Sequence, residues 1–158
     1  MRLTEILKKD QDLNNFIAKT KQVKNSLITG ANAGAFSLLL KQIISELDAP
    51  LILIEENESK AQNLYGELNS ILEGDAAHYF PVDATIATQT AVSSPDELSS
   101  RIQSLNFFLS NKPGIVVTTP QGLQYKLSSP ADFAKARREF APEKEYELTE
   151  LNNWLVGA

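Results

Sequence analysis

The stretch SLITGANAGAFS, residues 26–37, decides the fold class. Ser26–Thr29 is a short apolar run that predicts a strand, and Gly30 ends it. The residues after the loop predict a helix, because apolar side chains recur at spacings of three and four: Phe36, Leu40, Ile43 and Leu47. Strand, glycine loop and helix in this order form the framework in which backbone N–H groups surround phosphate. The stretch therefore predicts an α/β domain with a unit of the phosphate-loop type.

The loop itself lacks part of the phosphate-binding motif G-x-x-x-x-G-K-[ST]. Aligned on Gly30, Ala35 replaces the second glycine, Phe36 replaces the lysine, and Ser37 keeps the hydroxyl; Gly34 lies one position early. An apolar ring cannot neutralise phosphate charge, but it suits the buried face of the next helix. We expect these five residues to form a degenerate nucleotide loop that is not functional. The alternative is a nucleotide-binding α/β enzyme domain with an atypical phosphate loop.

A working nucleotide hydrolase also needs a carboxylate at a strand end to hold its metal ion. The apolar run Ile115–Thr119 has none, whereas Leu51–Ile54 is followed directly by Glu55 and Glu56. These two acids precede Asn57, and negative charge is favourable at the start of a helix. We therefore interpret them as a helix start, with a metal site as the alternative. We expect no catalytic residue, no metal and no cofactor in this chain.

The remaining pattern alternates strands with helices. Three apolar runs predict strands: Leu51–Ile54, covered on both faces, then Ala76–Phe80 and Ile115–Thr119. Asn57 can cap one helix that Gly74 is placed to end. Ser94, followed by proline and by Glu97, forms a capping box that starts another helix, and Pro120 opens a short third one. This alternation predicts a mainly parallel sheet flanked by helices.

The chain divides into three predicted segments. Residues 1–24 form a helical lead-in, residues 25–135 form the degenerate phosphate-loop domain, and residues 136–158 begin a second domain. The apolar pattern over Leu148–Val156 resembles a helix cut off mid-pattern. We expect the chain to be a piece of a longer protein, with a natural short tail as the alternative.

Composition narrows the function classes. The 158 residues include no cysteine, which excludes disulfides, thiol nucleophiles and cysteine-based metal sites. Residues 25–110 hold three basic and eleven acidic side chains, a balance that disfavours direct binding of the DNA backbone there. No signal peptide and no membrane-spanning segment is predicted, so we expect a cytoplasmic protein without membrane partners.

Three single residues are further candidates for a functional or structural role. His78, the only histidine, is expected to be a core or edge residue of a strand, because it has no cysteine or second histidine as a metal co-ligand. Arg101 is expected to pair with Glu97, one helical turn earlier, or to act as a buried tether for the connection 82–93. Trp154 is expected to pack within the second unit, with a partner anchor as the alternative.

Several stretches together resemble one family. They are the lysine-less glycine loop, Tyr79-Phe80-Pro81-Val82-Asp83, Ser93-Ser94-Pro95 with Arg101, Ile102 and Leu105 following, and Gly114–Pro120 with Gly122-Leu123. In this order and spacing they are similar to the N-terminal region of bacterial transcription-repair coupling factors, the part that is homologous to the damage-recognition protein UvrB. The resemblance covers roughly residues 5–158.

The resemblance implies a UvrB-like module whose first domain has a RecA-like, helicase-type fold and has lost nucleotide binding. In that family the full-length protein is an ATP-dependent DNA translocase that displaces RNA polymerase stalled at lesions and recruits excision repair through UvrA. The motor and the polymerase-binding domain lie further along the family's chain. The UvrA-contacting surface lies mainly on the second domain, so none of its residues is assigned here. Other domains of the same protein are further expected partners.

Overall fold

The computed structural model describes residues 9–20, 22–23, 25–30, 33–82, 94–124, 126–138 and 140–157. Its sheet has three parallel strands, β1 (Pro50–Ile54), β2 (Ala77–Tyr79) and β3 (Gly114–Thr118), in the order β1-β3-β2. In the register of the sheet, Ile52 of β1 and His78 of β2 both lie opposite Val116 of β3. This sheet, together with the helices around it, confirms the predicted α/β fold class.

The described helices lie in the stretches where the sequence predicts helices, except for the one over Pro130–Ala136, which was not predicted. They are α1 (Gln11–Thr20), α2 (Ala33–Glu46), α3 (Glu58–Ile71), α4 (Pro95–Ser110), α5 (Pro130–Ala136) and α6 (Leu148–Gly157). Two predicted caps are confirmed: the Asn57 side chain accepts from the Lys60 backbone N–H at 3.0 Å, and Ser94 and Glu97 form a reciprocal capping box. Helix α3 ends at Ile71, three residues before Gly74, whose φ is +71°. No described helix has both the length and the apolar character that a membrane span needs.

The core lies on both faces of β3. Helices α2 and α3 cover one face, where Leu40, Leu64 and Leu68 pack with Ile115 and Val117. On the other face Phe80 and Phe107 pack around Val116. All five residues of β3 are buried, as expected for the central strand of a sheet that is covered on both sides.

The outer strand β1 is covered on one face only. Leu51 and Leu53 pack against the α2–α3 core, whereas Ile52 and Ile54 are 54% and 50% exposed. Successive strand residues point to opposite faces, and α4 lies over β2 rather than β1. The prediction that Leu51–Ile54 is covered on both faces is therefore wrong. The continuous apolar run correctly predicted a strand, but it did not predict which elements pack on its two faces.

Two further element predictions are wrong. Ser26–Thr29 is not a strand, and Leu27 is 87% exposed. A strand requires a partner, and this segment pairs with none of the three described strands. The helix predicted to open at Pro120 is instead a short 3₁₀ turn, Gly122–Gln124, in which Gly122 lies tightly against the Thr118 side chain.

The chain divides into two compact units, Met1–Tyr125 and Lys126–Ala158. In the second unit, the rings of Phe140 and Tyr146 meet edge to face at 5.2 Å, and Arg138 forms a 3.6 Å ion pair with Glu150 of α6. The helix predicted over the last residues is confirmed. The domain boundary predicted at 135/136 falls inside α5 and stays a prediction.

Candidate functional site

The glycine loop leads into α2. Gly30 has a φ of +85°, which favours glycine, and a side chain at Gly30 or Gly34 would meet open space. Ala31 and Asn32 lie outside the described residues, whereas Gly34 and Ala35 belong to the first turn of α2. From Gly34 onward, the residues predicted to form the nucleotide loop therefore lie in the first turns of a helix.

Phe36, which stands in the lysine position, is half-buried against the core. It packs on the cluster that contains Leu40, Leu64 and Leu68. The ring belongs to the same apolar helix face as Leu40 and Ile44. The position that carries a cation in a functional phosphate loop here contributes to the contact between α2 and α3.

Ser37, which stands in the hydroxyl position, is 4% exposed. Its Oγ donates to Oε2 of Glu67 on α3 at 2.7 Å. A hydroxyl that holds magnesium must instead face the phosphates. Lys41, the only basic residue of α2, donates from Nζ to the backbone carbonyl of Ile71 at the end of α3. Both polar groups therefore join the two helices.

The two acids after β1 lie at the start of α3. The Glu55 backbone N–H donates to the Thr118 carbonyl at 2.8 Å, Glu56 pairs with Lys60 one helical turn later, and Asn57 caps the helix. Over the part of the chain that the structure describes, no three His, Asp or Glu side chains cluster as metal ligands. The arrangement agrees with the helix-start interpretation of Glu55 and Glu56.

A tyrosine–glutamate pair lies near these acids, and sequence reasoning missed it. The Tyr79 hydroxyl donates to Glu58, and its ring stacks on Tyr65 with centroids 5.8 Å apart. Burial, and next the hydrogen bond to Glu58, raise the pKa of Tyr79 above its ordinary value. The residues are 21 positions apart, and no local spacing rule links them.

Arg101 acts mainly as the expected tether. Its side chain is buried, and Nε donates to the Pro81 carbonyl at 3.0 Å. Nη2 lies 4.0 Å from Oε2 of Glu97, at the outer limit for an ion pair. The structure therefore supports the tether at Pro81 more strongly than the helical ion pair. Of the connection 82–93, residues 83–93 lie outside the described residues.

The other two single residues lie in described elements. His78 is buried in β2 at 5% exposure, and its ring lies 4.4 Å from that of Phe107. This confirms the expectation of a strand residue in the core. Trp154 is half-buried on α6, which agrees with packing inside the second unit.

The chain is similar in sequence to known proteins. No protein-family model matches the chain. The transcription-repair-coupling factor of Staphylococcus aureus is 26% identical over 158 residues, covering 98% of this chain, and that of Bacillus subtilis is 28% identical over 112 residues, covering 70%. The UvrABC system protein B of Mycoplasma pneumoniae is 26% identical over 148 residues, covering 85%.

These matches confirm the resemblance to transcription-repair coupling factors. The accompanying similarity to UvrB is consistent with the UvrB-homology region of those proteins. The chain spans 13% of the S. aureus coupling factor, 10% of the B. subtilis one and 22% of the M. pneumoniae UvrB. The chain is therefore similar to a UvrB-like region that makes up a small part of these longer relatives.

Proposed function

We propose that this chain is a non-catalytic UvrB-like module of a transcription-repair coupling factor, in which the phosphate loop serves as packing between two helices. The observation that carries the proposal is the position of Ser37 and Phe36. The hydroxyl is bonded to Glu67, and the ring is packed in the core. Nucleotide binding at this loop would require both groups to be replaced or withdrawn.

The activity of the whole protein is part of the same proposal. The full-length coupling factor uses ATP to displace RNA polymerase stalled at DNA lesions and recruits excision repair through UvrA. UvrA is contacted through the second domain, and polymerase and DNA through regions outside this chain. The three basic and eleven acidic side chains of residues 25–110 support the assignment of DNA contacts to those other regions. The protein acts in the cytoplasm.

A nucleotide titration tests the loss of binding. Increasing ATP with magnesium is added to the chain and heat is measured by calorimetry. We expect no saturable signal up to about a millimolar, a concentration that corresponds to roughly 4 kcal/mol of binding free energy. The matched variants are Ser37→Ala, which removes the loop hydroxyl, and Ser45→Ala, which removes a hydroxyl from the other end of α2.

Saturable ATP binding that Ser37→Ala abolishes and Ser45→Ala preserves would overturn the proposal. That result would instead support the atypical phosphate loop of a nucleotide-binding enzyme domain. The DNA assignment has a separate test, because backbone binding weakens steeply as salt rises. Fluorescence anisotropy with a labelled duplex at low salt should show no binding by this chain, and salt-sensitive binding would contradict the assignment.

A further inference from the structure

We draw no further inference here: the strongest candidate, the uncovered apolar face and outer edge of strand β1 at Ile52 and Ile54, carries nothing because the described part of the chain does not show what covers it.

Discussion

Arg101 holds the end of the β2 segment to helix α4. A charged side chain is rarely buried unless its donors are used, and here Nε bonds the Pro81 carbonyl directly after the strand. The bond crosses 20 residues of sequence and includes a proline, which has no N–H of its own. Arg101 therefore positions the chain where it leaves the sheet toward residues 83–93.

We predict that Arg101→Met lowers the free energy of unfolding by about 1–3 kcal/mol, because methionine has no N–H and the buried Pro81 carbonyl loses its donor. The measurement is urea denaturation followed by far-UV circular dichroism. The control is Lys60→Gln, which removes the exposed ion pair with Glu56 and should change stability much less, because exposed ion pairs contribute little. Equal effects of the two variants would argue against the tether.

Tyr79 gives a pH prediction. Its pKa is raised in the folded state by burial and by the Glu58 hydrogen bond, so the fold favours the neutral phenol. The stability that Tyr79 contributes is complete below the unfolded pKa of about 10 and is lost as the pH rises through the folded pKa. We expect the unfolding free energy of the wild type to fall more between pH 8 and pH 11 than that of Tyr79→Phe. Parallel pH dependences of the two proteins would contradict this.

At the scale of elements, the contact between α4 and the start of β3 depends on a missing side chain. A Cβ atom at Gly114 would lie 2.6 Å from the Ala76 carbonyl oxygen and 2.7 Å from Cζ of Phe107. Strand and helix approach this closely only because Gly114 has no Cβ. In contrast, a Cβ atom at Gly66 on the exposed side of α3 would meet open space.

Alanine at these two glycines should therefore act in opposite directions. We predict that Gly114→Ala lowers the unfolding free energy by about 1–3 kcal/mol through overpacking. Gly66→Ala should raise it by about 0.5–1 kcal/mol, because glycine is unfavourable within a helix. Thermal unfolding of both variants under the same conditions measures the difference. Stabilisation by Gly114→Ala would show that the strand can move away from Phe107.

The elements that the sequence predicted correctly are those with local signals. The capping box at Ser94 and Glu97 and the cap at Asn57 fix helix starts through neighbours three residues away. The wrong predictions concern features that depend on contacts between elements distant in sequence. Ser26–Thr29 has strand composition but no described partner strand, and the exposed face of β1 depends on where α4 lies. No local pattern encodes either fact.

The same distinction applies to the candidate sites. The replacement of lysine by Phe36 is visible in the sequence, because the motif is contiguous. The bonds from Ser37 to Glu67 and from Tyr79 to Glu58 join residues 30 and 21 positions apart. A surface cleft likewise brings the start of β2 together with the end of α4, at His78 and Ser110. Such pairings follow from topology and could not be predicted from spacing.

At the scale of the whole molecule, the two units differ in how much they bury. Every residue that is buried in the described part of the chain belongs to the first unit. The second unit contains Trp154, the only tryptophan of the sequence. Intrinsic tryptophan fluorescence therefore reports on the second unit alone, whereas most of the regular secondary structure belongs to the first.

We predict that urea unfolding followed by fluorescence has a lower midpoint than unfolding followed by far-UV circular dichroism. A unit with little buried apolar surface has little to offset its conformational entropy, so it unfolds first. Non-coincident transitions are the standard sign that unfolding is not two-state. Superimposable curves would mean that both units unfold cooperatively, and Trp154→Phe serves as the control for the origin of the signal.

The uncovered strand β1 has a consequence for the colloidal behaviour of the protein. An edge strand with exposed isoleucines is a template for sheet-to-sheet association, and proteins protect such edges with charge. Here Asp48 precedes β1, and Glu55 and Glu56 follow it. Two chains meeting edge to edge in antiparallel fashion would bring these carboxylates together. Mutual repulsion at the two ends of one short strand therefore opposes this association, and concentrated salt screens that repulsion.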